Sequence, residues 1–239
     1  MPPAALLSGR VVAVTGASRG IGAAIATHAA EAGAKVLAIS RSGTAPEHAA
    51  IVALGADVTA EETPDAIVRE SLAAFGRLDG LVNCAATIHH ADCWEYTDEA
   101  WDDVFETNLT APFLLSQRAV AHWLEHEQPG VIVNVTSIES EVVCPQQAGY
   151  AATKGGLLGL TRSMAVELSG RGIRTVALAP GYTTTEADAV NPEGLDALIP
   201  AGRMARPSEI AGAAVFLLSD LAAYVTGTSL FADGGYTAR

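Results

Sequence analysis

Tyr150 and Lys154 stand four residues apart in a stretch of helical pattern, so their side chains share one face. A free tyrosine keeps its proton to a pKa of about 10, too high for acid–base work near neutrality. An ammonium beside it favours the phenolate, and the pair can then move a proton to or from a substrate oxygen. Ser137, thirteen residues earlier, follows an apolar run and could hydrogen-bond the same oxygen. Alone, a Tyr-x-x-x-Lys pair is more often a solvated helix face; its weight here comes from a second motif near the N-terminus.

Thr15 is followed by Gly16, Ala17, Ser18, Arg19, Gly20, Ile21 and Gly22, the pattern T-G-x-x-x-G-x-G between an apolar run and a helical one. Glycines let the chain turn tightly and let a pyrophosphate approach the backbone. The helix start supplies free N–H groups and the positive end of its dipole. The strand-before, helix-after context is the one a dinucleotide needs, and the absence of G-K-[ST] disfavours an ATP-type loop. The second strand candidate ends in Ser40–Arg41. A site for NAD usually has a carboxylate there to hold the ribose 2′-hydroxyl. Arg41, with Arg19, can instead pair with a 2′-phosphate, which favours NADP(H) and leaves NAD(H) as the second choice. Asp57 ends the third strand candidate, where it could accept from the adenine amino group. Asn83 ends the fourth and could line the adenine ribose. Single Asp and Asn residues at strand ends are commonly turn residues.

The elements that would position these groups alternate. Apolar runs at 10–15, 35–40, 50–56, 78–83, 131–136, 173–179 and 228–231 read as strands. Helical patterns at 20–32, 64–75, 98–127, 148–169 and 207–219 lie between them. Runs nearly continuous in Val, Ile, Leu and Ala suit strands covered on both faces. The alternation predicts an α/β fold, a parallel sheet with helices on both sides. No linker divides the chain, so residues 1–239 read as one domain. The least regular stretch, 181–205, follows a strand end and is expected to cover the substrate.

The composition narrows the class. The chain has 239 residues, 49% hydrophobic and only 17% charged, which excludes a disordered polymer. Its net charge of −13 argues against nucleic acid or an anionic membrane as partner. Cys84, Cys93 and Cys144 are odd in number and form no C-x-x-C, so a disulfide framework is not expected. No signal peptide and no apolar run of about 18 residues is found, so a cytoplasmic location is expected. His122 and His126 have helical metal-ligand spacing but lack a third ligand, and the 89–93 cluster reads as a pocket rim; no metal is expected.

Taken together, Thr15–Gly22, Asp57–Val58, Asn83–Ala86, Asn108, Ser137, Tyr150 with Lys154, and Pro180–Gly181 resemble the short-chain dehydrogenase/reductase family, in family order and over nearly the whole chain. The resemblance implies a Rossmann-type doubly wound sheet of about seven parallel strands. It also implies hydride transfer between a nicotinamide and a carbonyl or alcohol carbon. Tyr150 would be the general acid or base. Lys154 would tune it and hold the nicotinamide ribose. Ser137 would polarise the substrate oxygen, and Asn108 would organise a proton-relay water. Asp57 and Val58 would contact adenine, and Asn83 and Ala85 the ribose side. Pro180, Gly181, Thr183 and Thr185 would receive the carboxamide. A homotetramer built on the helices at 98–127 and 148–169 is implied as well. The family usually reads N-N-A-G where this chain has Asn83–Cys84–Ala85–Ala86, so Ala86 is expected to tighten that loop.

Residues 88–117, 199–203 and 233–239 are similar to bacterial sugar-acid dehydrogenases of the 2-deoxy-gluconate and keto-deoxy-gluconate type. Those relatives commonly have two arginines where this chain has His89–His90. A sugar, sugar acid or polyol is therefore the first expectation, with 3-oxoacyl thioesters and cyclic ketones as alternatives. A non-catalytic dinucleotide sensor, and an isomerase or dehydratase using the same tyrosine, are the readings from other classes.

Overall fold

The computed structural model describes residues 6–184 and 194–238. In chain order they form β1 (Val11–Thr15), α1 (Gly20–Glu31), β2 (Lys35–Ser40), β3 (Ile51–Gly55), α2 (Thr63–Phe75), β4 (Gly80–Asn83), α3 (Asp98–Phe105), α4 (Ala111–Glu125), β5 (Gly130–Val135), α5 (Ala148–Leu168), β6 (Ile173–Pro180), the one-turn α6 (Leu195–Leu198), α7 (Pro207–Leu218) and β7 (Ser229–Ala232). The strands make one seven-stranded sheet, all parallel, in the order β3-β2-β1-β4-β5-β6-β7. The direction of winding reverses between β1 and β4. In such sheets the crevice beyond the carboxyl ends at that point holds the ligand.

Side chains alternate across the strands, and both faces are covered. Val12, Val14, Val131 and Val133 pack with Ile25 and Ala29 of α1 and Ile210 and Ala214 of α7. Ala13, Leu37, Ile39 and Ile132 face the other way, against Ile67 of α2, Leu115 and Trp123 of α4 and Met164 of α5. A strand buried on both sides gains nothing from polar residues, which is why β1 reads VVAVT. Edge strand β3 is the exception and leaves Val52 exposed.

The single helix expected over 98–127 is not what forms. α3 ends at Phe105, residues Glu106–Thr110 make one π-helical turn, and α4 resumes at Ala111. Within that turn Ala111 N–H donates to the carbonyl of Glu106, five residues back. Pro112 has no N–H to give the carbonyl of Asn108, its partner in an ordinary α-helix, so regular bonding fails there. The backbone keeps right-handed helical angles at Phe105, Glu106, Thr110 and Ala111. Apolar periodicity therefore passes through the widened turn unbroken, and only the proline marks it. Among the described residues no helix is long and apolar enough to cross a membrane.

Candidate active site

After Thr15 the chain turns through Gly16 and Gly20, at φ +68° and +56°, angles that glycine adopts without strain. A Cβ on Gly22 would sit 2.2 Å from the Gly16 carbonyl oxygen, and one on Gly16 would lie 2.9 Å from Cα of Ala85. Helix α1 can thus start hard against the end of β1 and the loop after β4. Thr15 Oγ1 fixes that loop by accepting from the N–H groups of Cys84 at 2.9 Å and Ala85 at 3.1 Å. Arg19, the N-cap of α1, makes no side-chain capping bond, and the first turn contains no acid. The N-terminal N–H groups and the positive dipole end are left for an anion. This cradle fits the diphosphate of a dinucleotide.

Ser18, Arg19, Ser40, Arg41, Asp57 and Val58 line one end of an open cleft of about 1210 Å³. The Ser40 hydroxyl donates to the Thr44 carbonyl at 2.9 Å, and Arg41 is exposed. Asp57 Oδ1 accepts from Thr59 N–H at 3.0 Å, the main reason its carboxyl is held below the usual range, and the nearby Arg41 adds to the effect. Asn83 departs from expectation. Its side chain is turned out of the cleft and into the core, 2% exposed. Its Nδ2 donates to Oδ1 of Asn134 at 2.8 Å and to Ser116 Oγ at 3.0 Å. Asn83 and Asn134 are register partners on β4 and β5, and Asn134 Nδ2 in turn donates to Thr161 of α5 at 2.9 Å. The pair links two central strands, with Asn83 Oδ1 left unbonded among the described residues, an arrangement that strand-end position alone does not reveal.

The other end of the cleft gathers Ser137, Tyr150 and Lys154. Ser137 follows β5, and its Oγ accepts from Glu139 N–H at 3.1 Å. The hydroxyl hydrogen remains available to donate elsewhere. Tyr150 and Lys154 occupy the first two turns of α5, with Nζ 5.3 Å from the tyrosine ring centroid. Lys154 is buried, and its Nζ donates to the Val135 carbonyl at 2.9 Å. Burial pushes its pKa down to about 8. Burial pushes the adjacent Cys84 thiol up to about 11, against the pull of the ammonium, so that thiol is protonated and inert.

Asn108 lies in the π turn, fully buried, and its side chain does not line the cleft. Its Nδ2 donates to the Thr87 carbonyl at 2.8 Å and its Oδ1 accepts from Thr87 N–H at 2.9 Å, which pins the β4 loop to the helix. Pro180, Gly181 and Thr183 border the cleft. A Cβ on Gly181 would meet Cα of Asp233 at 2.7 Å, so this glycine allows β6 to close on the C-terminal segment. Thr183 forms a parallel bridge to Ala205, through the N–H of Thr184 and the carbonyl of Tyr182. Thr185 and much of the 181–205 stretch lie outside the described residues. Ala86 does not strain its loop: among the described non-glycine residues only Glu127 and Gln146 have positive φ.

The sequence reading missed Glu139, Gln147 and Tyr182, all of which line the cleft. The signal was only the placement of a carboxylate two residues after Ser137, and nothing in it announces burial. Of the histidine pair at the rim, His89 is bound to Asp103 at 2.7 Å, while His90 lines the cleft. His122 is buried in α4 beside His126. Among the described residues no group of three or more potential metal ligands forms.

A family profile described as Enoyl-(Acyl carrier protein) reductase matches residues 16–237. The 3beta-hydroxysteroid dehydrogenase 1 of Eggerthella lenta is 40% identical over 97% of this chain and 95% of its own length. The D-threitol dehydrogenase of Mycolicibacterium smegmatis is 38% identical over 98% and 95%. Among solved structures, a candidate 2-deoxy-D-gluconate 3-dehydrogenase from Agrobacterium tumefaciens with bound NADP superposes with TM-score 0.86 at 36% identity, covering 98% of each chain. A 3-ketoacyl-(acyl-carrier-protein) reductase from Brucella melitensis complexed with NADH gives 0.91 at 33% identity, over 97% of this chain and 99% of that one. The chain belongs to the short-chain dehydrogenase/reductase family and is an oxidoreductase of that family.

The burial of Lys154 has a measurable consequence. A lysine whose folded pKa is depressed to about 8 disfavours its charged form in the native state, at a cost of about 3 kcal/mol. That cost is complete below pH 8 and disappears as pH rises toward 10.5, where the unfolded lysine also loses its proton. Lys154→Met is therefore expected to raise stability to urea at pH 7 by roughly 1–3 kcal/mol. The gap from the wild type should narrow between pH 8 and 10.5. Equal or lower stability of the variant at pH 7 would show that the ammonium is not a burden on the fold.

Proposed function

We propose that this chain interconverts a carbonyl and a secondary alcohol on a small polyhydroxylated substrate, a sugar, sugar acid or polyol, with NADP(H) preferred to NAD(H). The observation that carries the reading is the convergence of Ser137, Tyr150 and the buried Lys154 on the cleft that also holds the glycine cradle. When bound there, a nicotinamide dinucleotide supplies or accepts the hydride. The remaining work falls to the chain. Tyr150 gives its phenolic proton to the substrate oxygen in reduction and takes it back in oxidation. Ser137, its acceptor side held by Glu139 N–H, donates to the same oxygen and stabilises the charge that develops on it. Lys154 stabilises negative charge on the tyrosine oxygen through a medium where water screens little. Asn108 keeps the β4 loop and α4 in register. Pro112 cannot donate to its main-chain carbonyl, which would be the acceptor for a relay water. Residues 181–205 would close over the substrate.

The preference for NADP(H) rests on the absence of a carboxylate at Ser40 and on the two cations, Arg19 and Arg41, lining that end of the cleft. Assembly as a homotetramer is supported by the outer face of α5, where a Cβ on Gly155 or Gly159 would meet nothing within 4 Å. Val166 on that helix, and Phe113 and Leu114 on α4, are exposed beside it. Gly156, by contrast, packs inward on Leu109.

Four outcomes are expected. Tyr150→Phe should lower turnover at least ~100-fold while cofactor affinity is largely kept; near-normal turnover would discard the assignment. Light scattering at micromolar concentration should give the mass of four chains, and a monomer would refute the assembly. The unmodified enzyme should favour NADPH over NADH by roughly 5- to 150-fold in kcat/KM. Arg41→Ala should weaken NADP(H) much more than NAD(H), and a wild type more efficient with NADH would overturn the cofactor reading.

A further inference from the structure

Glu139 is a carboxylic acid on the wall of the cleft that neither hydride transfer nor proton transfer uses. It follows Ser137 by two residues in a single 3₁₀ turn, so the turn that presents the serine hydroxyl also presents the carboxyl. The residue is 8% exposed, and what remains open faces the cleft it lines. With its amide nitrogen turned toward the acid, Gln147 donates to both carboxyl oxygens, at 2.6 and 3.1 Å. Cys144 lies close enough to favour the ionised carboxyl, and its sulfur is 3.2 Å from the Tyr182 hydroxyl. A carboxyl group has about four acceptor positions, so these contacts hold its orientation and leave capacity for a ligand.

We propose that Glu139, held by Gln147, is a specificity-determining residue that hydrogen-bonds a substrate hydroxyl close to the reacting carbon, and that it selects uncharged polyols and ketoses over substrates bearing a carboxylate. This rests on the oxidoreductase reading above and narrows its substrate class.

The charges around the cleft support the choice. The cations Arg19 and Arg41 lie at the cofactor end, and Lys154 is committed beneath Tyr150. At the other end stand two carboxyl groups, Glu139 and Asp103, and His90. His89 is held by Asp103 at 2.7 Å and is turned away from a ligand. Ionised Glu139 would meet a substrate carboxylate with like charge, and among the described residues no arginine stands at that end of the cleft to pair with it. Burial also pushes the Glu139 pKa up to about 7. The group thus passes from donor to acceptor near neutrality. A hydroxyl can serve either form, because it both donates and accepts. Apolar chains gain nothing from this wall and would leave its polar atoms unpaired.

The test compares paired substrates on one preparation of the holoenzyme, erythrulose against 2-butanone, matched in carbon skeleton but differing in hydroxyls. Glu139→Leu should raise KM for erythrulose ~10- to 100-fold, with kcat/KM for 2-butanone unchanged or higher. Glu139→Gln, which can still hydrogen-bond, should lose less with erythrulose. It should gain with 2-oxobutanoate, whose carboxylate no longer meets a charge. A parallel loss with both ketones in Glu139→Leu would assign the residue to the fold and overturn the proposal, as would no change with either. Failure of the wild type to reduce any carbonyl or oxidise any alcohol would instead remove the reading on which it rests.

Discussion

A buried ammonium with no carboxylate against it among the described residues is the interaction on which the site depends. Lys154 sits in a chain of net charge −13, yet its bonded partner is the neutral carbonyl of Val135. A carboxylate at that distance would stabilise the cation and at the same time cancel the field that Tyr150 requires. A backbone carbonyl helps to solvate the ammonium without adding a full charge. Holding a cation in this state takes a rigid frame, because water or a mobile acid would otherwise relax it. The frame is α5, 21 residues long, seated on the sheet through Leu157, Leu158, Met164 and Leu168.

Parallel pairing then decides what else can reach this charge. All seven strands end on one side, so the turns after β1, β2, β4, β5 and β6 open on the same crevice. Groups 16 and 181 residues into the chain become neighbours of one ligand without contacts that are local in sequence. The crevice stays in shape through polar bonds that are themselves buried. Thr15 clamps the β4 loop, Asn108 ties Thr87 to the π turn, and Asn83 with Asn134 joins β4 to β5. Each satisfies polar groups that would otherwise cost about 1–3 kcal/mol in the core. Glycines serve the same end by absence: at positions 16, 22 and 181 a side chain would have to occupy space already filled by backbone.

The strands and most helices were legible because burial on both faces writes itself as unbroken aliphatic runs, and the ends came within one or two residues. The glycine turn and the Tyr-x-x-x-Lys face were legible because spacing alone carries their chemistry. The π turn was hidden: one extra residue per turn shifts the apolar stripe too little to break its period, and Pro112 is also acceptable at a helix start. Asn83 was misplaced because a strand-end residue can point to the crevice or to its cross-strand partner, and only register shows that Asn134 lies opposite. Glu139 was invisible for a different reason. A glutamate in a turn reads as solvated, and the groups set against it, Gln147 and Cys144, arrive from later parts of the chain.

That division between legible and hidden residues follows function. Residues serving the cofactor and the proton are held by the sheet and the long helix, so their spacing is imposed by the fold. The cleft residues proposed to face the substrate, Glu139, Gln147 and Tyr182, come from the turn after β5, the start of α5 and the segment beyond β6, which the sheet does not dictate. Loops of this kind change side chains at little cost to the core. Relatives named for steroid, threitol, sugar-acid and acyl-carrier-protein substrates share one frame with this chain at 33–40% identity. Substrate choice must therefore reside in a few groups on that wall. Where a carboxyl on such a wall is ionised, the sign of its charge is the coarsest discriminator available, since a buried like charge excludes more strongly than a missing contact. A cleft with cations at one end and carboxyl groups at the other would separate a phosphate-bearing cofactor from the uncharged substrate proposed above before any finer fit is made.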